Sequence, residues 1–367
     1  MTAGAGVLVT VIGEALIDLI PGQAPRSFTA SPAGSPFNVA IGLARLGQST
    51  ALMARMSDNA FGRMLRSRAD DEGIYLGAAP RSSEPTTMAV VSLDAAAQPS
   101  YDFYIDGTAD WLWTAAEIGQ VPPATEVLHF GSLASWTPPG DERILALARS
   151  MRDRGAALVS YDPNIRPRLL GDADCGRRMV EGGVRLAHLV KASAEDIGWL
   201  YPGWSAAAVA GHWLGLGPAV VVITDSARGA DAFTAAGPPV HRPAREVTVV
   251  DTTGAGDSFT SGLLSSLIGQ GLHSPAELAR RSAPDLTLAL DDAILAAALT
   301  CQRSGAEPPT TAEVEAARQL RGCLSSARIG ATRGAVLVTS RIQLSRIATQ
   351  LPIRGPSGAR DILVGYR

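Results

Sequence analysis

The chain has 367 residues, of which 46% are hydrophobic and 18% charged, and its formal net charge is −3. That apolar content is enough for one large domain with a substantial core, while three scattered cysteines fit neither a disulfide framework nor a zinc site. The mildly acidic balance gives no sign of nucleic-acid binding. Because acidic residues interrupt the apolar first segment, we expect neither a signal peptide nor a membrane span, and we predict a cytoplasmic protein.

Short apolar, β-branched runs alternate with helical patterns along most of the chain. In chain order, the runs predicted as buried strands are GVLVTVIG, STALMARM, EVLHFGS, AALVSYDPN, AHLVKAS and AVVVITD. Such alternation is typical of parallel strands covered by helices. The pattern therefore predicts an α/β sandwich, with further helices from residue 255 and over residues 284–303.

Two segments depart from that alternation. Residues 14–31 form one of them, and the other, TTMAVVSLDAAAQPSYDFYIDG, reads as two strands around a turn. We predict that they form a small β-sheet lid beside the main sheet, built from about residues 14–31 and 86–110.

The stretch DTTGAGDSF, residues 251–259, lies between a predicted strand and an apolar helix. A glycine turn at a helix start leaves backbone N–H groups unpaired and able to bind an anion. Asp257, in the first helical turn, could take the proton of a hydroxyl that attacks a bound phosphoryl group. The structural alternative is an acidic residue that caps the helix on a glycine turn.

Three other nucleotide motifs are excluded by single residues. A Walker A loop and the strand lysine of protein kinases both need a lysine, and the only lysine, Lys191, follows no glycine loop. Phe259 occupies the place where a dinucleotide fingerprint needs a small residue. We therefore do not expect an NAD enzyme.

Together with AGSPFNVAIGLARLG near the N-terminus, the stretch DTTGAGDSF resembles the two signatures of the ribokinase-like, or phosphofructokinase B type, carbohydrate kinase family. The resemblance extends from about Val9 to about Leu320. It implies a three-layer α/β/α sandwich with a mostly parallel sheet and a β-lid, and it makes Asp257 the catalytic base. The residues whose N–H groups would bind the transferred phosphate are Gly254, Ala255 and Gly256.

The resemblance also implies a sugar site. Asp18, in GEALIDLIP, matches the sugar-hydroxyl ligand at the lid hinge, and Gly34 and Asn38 match a second sugar-contact segment. At Ala33 and Ser35 the sequence departs from the common Gly-Gly-Ala-Pro pattern of that segment. DPNIRP is similar to the fructokinase branch, in which Asn164 would contact the sugar and Arg166 would point towards substrate and phosphate; a surface salt bridge is the alternative for Arg166.

Further segments match the nucleotide and metal sites of the family. KASAED occupies the place of a magnesium segment, with Ser193 in place of asparagine, and the sequence does not decide whether Glu195 or Asp196 serves the ion. Lys191 is a candidate for nucleotide binding, although its presence could equally be chance. The loop in VVITDSARGADAF resembles a nucleotide loop, with candidate residues Thr224, Ser226 and Gly229. Asp251 and Thr253 match part of a K⁺ site that backbone carbonyls around Arg303 and Gly305 would complete.

From these matches we predict an ATP- and Mg²⁺-dependent sugar kinase, with K⁺ as a further candidate cofactor, that phosphorylates a primary hydroxyl. The preferred substrate is fructose, because Tyr104 in the lid strand is followed by Ile105 where we expect a carboxylate-binding arginine in 2-keto-3-deoxygluconate kinases. That kinase and ribokinase are the alternatives. A catalytically silent sugar-binding module on the same fold is the alternative of another class. Pairing of lid strands into a homodimer is a further expectation from the resemblance.

The C-terminal segment differs from the rest of the chain. Residues 322–367 contain seven arginines and one acidic residue, without a clear apolar face. We predict that residues 1–321 form the kinase domain and that residues 322–367 are a disordered or accessory basic tail.

Overall fold

The structure is a computed structural model, and it describes residues 8–22, 24, 26–93, 99–155 and 157–319. Residues 1–316 belong to one compact unit. A second unit, residues 317–367, is described only as far as residue 319. The predicted basic tail, residues 322–367, lies outside the described residues.

The strands are β1 (Leu8–Ile12), β2 (Leu16–Pro21), β3 (Phe28–Ala33), β4 (Ser49–Met53), β5 (Met56–Ser57), β6 (Arg81–Ser82), β7 (Met88–Leu93), β8 (Pro99–Tyr104), β9 (Thr125–Gly131), β10 (Leu158–Asp162), β11 (Leu189–Ser193), β12 (Val220–Thr224), β13 (Ala230–Thr234) and β14 (Val240–Arg242). The helices are α1 (Ser35–Arg45), α2 (Ala60–Asp71), α3 (Ala115–Ile118), α4 (Gly140–Asp153), α5 (Pro167–Leu170), α6 (Ala173–Val184), α7 (Ala194–Leu200), α8 (Ala206–Leu216), α9 (Ala255–Gly269), α10 (Pro275–Ala279) and α11 (Thr287–Cys301); residues 311–319 are also helical. Short 3₁₀ turns lie at Ala109–Trp111, Leu133–Ser135, Ser226–Arg228 and Ala283–Leu286.

Eight strands form the main sheet, in the order β14-β13-β12-β11-β10-β9-β1-β4. Six neighbouring strands of this sheet pair in parallel, namely β4, β1, β9, β10, β11 and β12. Each overlaps one of the six runs predicted as buried strands. β13 and β14 extend the sheet with antiparallel pairing that the sequence pattern does not predict. The predicted fold class, an α/β sandwich with a mostly parallel sheet, is confirmed.

Alternate residues of the central strands supply the two faces of this sheet. In β9, Val127 belongs to the core cluster that Phe37 of α1 and Leu263 of α9 help to build. The next residue, Leu128, belongs to the opposite cluster, with Trp213 of α8. Because the side-chain period of a strand is two, such a sheet is apolar on both faces and needs helices on both. Each fully buried large side chain contributes about 1.5–3 kcal/mol.

A separate four-stranded sheet, in the order β3-β2-β7-β8, forms the predicted lid. Asp18 of β2 pairs with Ser31 of β3 and with Ala89 of β7, and Ala89 pairs with Phe103 of β8. Since paired residues share a face, Asp18 and Phe103 lie on the same side of the lid. Leu16, Ala33 and Ala89 form a small apolar cluster on that side.

The chain leaves the lid at Gly34, which has φ 112°. A Cβ atom at Gly34 would lie 2.7 Å from the carbonyl oxygen of Glu14. Only glycine tolerates both that conformation and that close approach. The turn starts α1 directly beside the carboxyl end of β1, where ligand sites of parallel sheets lie. Of the helices in the described part of the chain, none has the length and apolar character to cross a bilayer.

Candidate active site

The glycine turn of DTTGAGDSF begins α9, as the sequence predicts. Gly254 has a left-handed conformation, φ 73°, and a Cβ there would lie 2.5 Å from the Ala306 side chain, so glycine is required. The amide of Ala255 donates to Thr252 O at 3.2 Å, and the first bond inside the helix runs from Ser258 N to Gly254 O at 2.8 Å. The first-turn amides of Gly256 and Asp257 therefore have no acceptor within the helix and can bind an anion.

Asp257 lies in this first turn, and both of its carboxylate oxygens accept hydrogen bonds from α1. Ser35 Oγ donates to Oδ1 at 2.6 Å, and Asn38 Nδ2 donates to Oδ2 at 2.8 Å. Burial raises the pKa of Asp257 above its usual range, while these two donors and the charge of Lys191 act to lower it. The two family signatures thus meet in space at this carboxylate, although about 220 residues separate them in the chain.

Lys191 lies behind the same turn. Its ammonium forms a buried ion pair with Asp162 Oδ2 at 2.9 Å, and a Cβ at Gly256 would lie 3.2 Å from Lys191 Nζ. Burial acts to lower the pKa of Lys191, but attraction and hydrogen bonding by Asp162, with the charges of Asp196 and Asp257, outweigh burial and raise it. The only lysine of the chain therefore places a positive charge against the candidate anion site.

Arg166 and Asn164 follow β10 and lie beside the lid. Arg166 Nη1 donates to Asn164 Oδ1 at 2.9 Å and to Ile165 O at 2.9 Å, so its chain neighbours hold the guanidinium. Burial raises the pKa of Asp18 to about 6, against the attraction of Arg166. The charge of Asp257 also acts on the pKa of Asp18, so Asp18, Arg166 and Asp257 lie near one another.

The structure does not bring Tyr104 to this region. Tyr104 pairs with Met88, so it lies on the lid face opposite Asp18 and is 56% exposed. Side chains alternate along β8, and those on the Asp18 face are Tyr101 and Phe103, whose rings stack 6.1 Å apart. Burial raises the pKa of Tyr101, and Asp18 and Arg166 also act on it. Ile105, just after β8, packs against the second core cluster.

The two acids of KASAED have different environments. Asp196 is buried, and its oxygens accept from Ile165 N at 2.9 Å and from Ser193 N and Oγ at 2.9 and 2.7 Å. Ser193 caps α7 in return, so this pair forms a capping box. Glu195 is exposed. Since the Asp196 carboxylate already serves the helix cap, Glu195 is the acid that is free of that role.

Asp251 joins the glycine turn to the segment after α11. Its Oδ1 accepts from Thr253 N and Oγ1 at 2.9 and 2.7 Å, and its Oδ2 accepts from Gly305 N at 2.8 Å. Burial raises the pKa of Asp251, but these hydrogen bonds together outweigh burial and lower it. The residues that match a K⁺ site are therefore adjacent. Within the described ranges, no cluster of three or more histidine, cysteine or acidic side chains is placed to bind a metal.

The candidate nucleotide loop follows β12. Thr224 ends the strand and donates to Ala192 O at 3.4 Å, while Ser226 has φ 43° and Gly229 has φ 104°. This loop lies at the carboxyl edge of the sheet, next to the end of β11 and Ser193, because Ser193 pairs with Thr224. The loop and KASAED thus form neighbouring parts of one edge.

Sequence reasoning missed three contributions to this site. Ser35 was visible only as a departure from a family pattern, yet its hydroxyl holds Asp257. The role of Asp162 depends on its contact with Lys191, 29 residues away, which no local pattern reveals. The face of Tyr101 depends on strand register, and the alternation of YDFYI was the signal that could have indicated it.

The profile of the pfkB family carbohydrate kinases matches residues 8–313 of this chain. A fructokinase from Rhizobium leguminosarum bv. trifolii is 35% identical over 263 residues, which cover 71% of this chain and 79% of that protein.

Three solved structures are also similar. A fructokinase from Xylella fastidiosa with bound ATP has a TM-score of 0.77 and 27% identity, over 86% of this chain and 99% of the other. A fructokinase from Vibrio cholerae with fructose, ADP and a calcium ion has a TM-score of 0.73 and 28% identity, over 84% of this chain and 98% of the other. An aminoimidazole riboside kinase from Salmonella enterica, complexed with aminoimidazole riboside and an ATP analogue, has a TM-score of 0.71 and 28% identity, over 84% and 99%.

Proposed function

Because the chain belongs to the pfkB family of carbohydrate kinases, we propose that it transfers the γ-phosphoryl group of ATP to the primary hydroxyl of a neutral sugar, and that fructose is the preferred acceptor. The observation that carries this proposal is the position of Asp257. A carboxylate in the first turn of α9, fixed by Ser35 and Asn38, stands beside amides that can bind a phosphoryl group.

In the proposed mechanism Asp257 accepts the proton of the attacking hydroxyl. The amides of Gly254 and Gly256 and the Lys191 ammonium bind the transferred phosphoryl group, whose negative charge they stabilise. Ala255 contributes less through its own amide, because that amide already donates to Thr252. The phosphate side of the reaction is thus served by groups that stay fixed throughout the transfer.

The sugar would lie between the lid and the carboxyl ends of the strands. Asp18, Asn38 and Asn164 supply polar groups for sugar hydroxyls, and Gly34 allows the sugar to approach the backbone. Arg166 would contact both the sugar and the transferred phosphoryl group. Its guanidinium is close enough to the sugar ligand Asp18 to act on the pKa of that carboxyl, and a guanidinium can bind phosphoryl oxygens. Closure of the lid would exclude water and so limit hydrolysis of ATP.

We propose that the nucleotide extends along Ser193, Thr224, Ser226 and Gly229 at the edge formed by β11 and β12. Glu195 is the residue that we assign to the Mg²⁺ of MgATP, through water, because Asp196 already caps α7. That ion would neutralise phosphate charge. Asp251, Thr253 and the backbone near Gly305 are the residues that would hold K⁺.

Two observations bear on partners of this kinase. Phe28 and Tyr104 are aromatic side chains of the lid, and they are 54% and 56% exposed. Because exposed aromatic side chains often mark a protein–protein contact, they support a homodimer through the lid. Sedimentation of the intact chain tests that assembly.

The choice of fructose is tested by ATP turnover with Mg²⁺ and K⁺ across a panel of sugars. The panel comprises fructose, ribose, glucose, tagatose, aminoimidazole riboside and 2-keto-3-deoxygluconate, ranked by kcat/KM. We expect fructose to have the highest value and the acidic sugar the lowest, because Ile105 offers no charge to a carboxylate. A preference for the acidic sugar or for the riboside would contradict our assignment of the substrate. Binding of a sugar without any turnover would favour the silent sugar-binding module.

A further inference from the structure

Two buried carboxyl groups next to the sugar site have no part in the mechanism above. Glu14 and Asp110 are both fully buried, and neither forms an ion pair with any residue that the structure describes. Glu14 Oε2 accepts from Ala134 N at 3.0 Å, and Asp110 Oδ1 accepts from Ala15 N at 2.8 Å. The other oxygen of each group, Glu14 Oε1 and Asp110 Oδ2, is buried and lacks a hydrogen-bond partner among the described residues.

These two residues lie where the chain passes between the core and the lid. Glu14 and Ala15 connect β1 to β2, and Asp110 follows β8. The third crossing, at Gly34, passes so close to Glu14 that a Cβ there would lie 2.7 Å from the Glu14 carbonyl oxygen. At the fourth crossing, before β7, Thr87 O accepts from Ile17 N at 3.1 Å. Three of the four lid crossings therefore lie at this acid pair, and the fourth is bonded to β2.

A chain of polar contacts leads from Glu14 to Arg166. The bond from Ala134 N to Glu14 Oε2 brings Ser132, two residues earlier in the chain, close to the Glu14 carboxyl. Burial raises the pKa of Glu14, and the Ser132 hydroxyl opposes that rise. Ser132 Oγ accepts from Asn164 Nδ2 at 3.1 Å, so its own hydrogen can point to Glu14. Asn164 Oδ1 in turn accepts from Arg166 Nη1 at 2.9 Å.

The two intermediate residues of that chain have uncommon backbones. Ser132 has φ 54° and Asn164 has φ 39°, and neither is glycine. Non-glycine residues rarely adopt this conformation, and they persist in it where their surroundings fix them. The fold therefore holds Ser132 and Asn164 in fixed conformations beside the proposed sugar site, and their side-chain contacts are fixed with them.

Stability alone does not explain the acid pair. A buried polar atom without a partner disfavours folding. Burial raises the pKa of Glu14 to about 7 and that of Asp110 to about 7, and the charge of Glu14 adds to the second effect. The folded state thus keeps protons that the unfolded state releases above its ordinary carboxyl pKa. The contribution of the pair to stability falls as pH rises from about 4.5 to about 7.

We propose that Glu14 is a positioning residue for phosphoryl transfer, which holds the Arg166 guanidinium in the site through the two residues between them and ties that guanidinium to the lid hinge. The inference rests on the proposed kinase function. Glu14 does not touch the reacting atoms in this account; it acts through Ser132 and Asn164. Its loss should therefore reduce the rate of transfer more than the binding of the sugar.

The test uses Glu14→Gln in the full-length chain, because glutamine keeps the size of the side chain and the acceptor for Ala134 N. We expect kcat for the best sugar of the panel to fall at least about tenfold, while KM changes less than kcat and the melting temperature at pH 8 is unchanged or higher. Ser132→Ala, which removes the next link, should lower kcat in the same way. In the double variant the two losses should not multiply, since both break one chain.

Asp141→Asn is the matched control. Asp141, in α4, also has a raised pKa through burial and a buried oxygen without a partner among the described residues. Within the described ranges, no hydrogen bond or ion pair joins its side chain to Glu14, Ser132, Asn164 or Arg166. We expect wild-type kcat from this variant. A Glu14→Gln enzyme with wild-type kcat, or losses that multiply in the double variant, would overturn the inference and leave the kinase function intact.

Two further outcomes are decided in advance. If Glu14→Gln does not fold, Ser132→Ala alone decides: an unchanged kcat overturns the inference, and a lower kcat with a similar KM supports it. A wild-type chain without turnover on any sugar would overturn the proposed function and this inference with it.

Discussion

Asp257 is the residue on which the proposed chemistry depends, and its surroundings are built for a fixed carboxylate. Ser35 and Asn38 donate to its two oxygens, and Lys191 lies close enough to act on its pKa. A base must be deprotonated before it can accept the hydroxyl proton. Because burial raises the pKa of Asp257, activity should be lost on acidification at a higher pH than for an exposed aspartate.

At the scale of this residue we predict the effect of Asp257→Asn. The amide keeps the size of the side chain but cannot accept the proton, so kcat should fall at least about 10²-fold. Sugar binding, measured by calorimetry, should survive, because Asp18 and Asn38 remain. The acidic limb of the pH profile of kcat/KM should disappear along with the base. Wild-type turnover of this variant would remove Asp257 from the mechanism.

At the scale of the element, the lid strand β8 shows how register divides the roles of neighbouring side chains. Tyr101 and Phe103 share the face of Asp18, and Asp102 and Tyr104 are exposed on the other face. Asp102 lies 3.9 Å from Arg168 of α5, so the outer face of the strand contacts a helix that follows Arg166. The inner face is the one that can cover a bound sugar.

We predict opposite results for two tyrosines of this strand. Tyr101→Ala should raise KM for the sugar about tenfold, because an aromatic ring that covers the ligand is lost. Tyr104→Ala, three residues away on the same strand, should leave kcat and KM within about twofold of wild type. Steady-state kinetics of both variants decides the matter. The reverse pattern would show that Tyr104 contacts the substrate and that our assignment of the faces is wrong.

At the scale of the whole molecule, the position of the site follows from the sheet. The strands β1, β9, β10, β11 and β12 are parallel, so their carboxyl ends meet at one edge. Three of these strands end at a candidate site residue or its partner, namely Asp162, Ser193 and Thr224. The other two strands, β1 and β9, are followed closely by Glu14 and Ser132. Residues far apart in the chain thus reach one site without long loops.

The family profile ends at residue 313, and we propose that the kinase domain needs nothing beyond Arg321. A chain that ends there should keep its kcat and its melting temperature, because residues 322–367 are arginine-rich and offer no clear apolar face to pack. Differential scanning calorimetry and turnover of the shortened chain provide the test. A melting temperature several degrees lower, or a loss of activity, would show that the tail packs on the domain or reaches the site.

The sequence by itself determined the family and the fold class, and it proposed most of the candidate site residues. Those features depend on local patterns, such as the strand period, the glycine turn before α9 and the order of the two signatures. The choice between Glu195 and Asp196, the partner of Lys191 and the face of Tyr104 depended on tertiary structure. The partner of Lys191 and the face of Tyr104 are set by contacts or register between segments that are distant in the chain, and a shift of one residue would reverse a face. The Asp196 carboxylate combines a local capping box with Ser193 and a distant bond from Ile165 N. The acid pair at the lid hinge was hidden for the same reason: only folding brings Glu14 and Asp110 together and removes both from water.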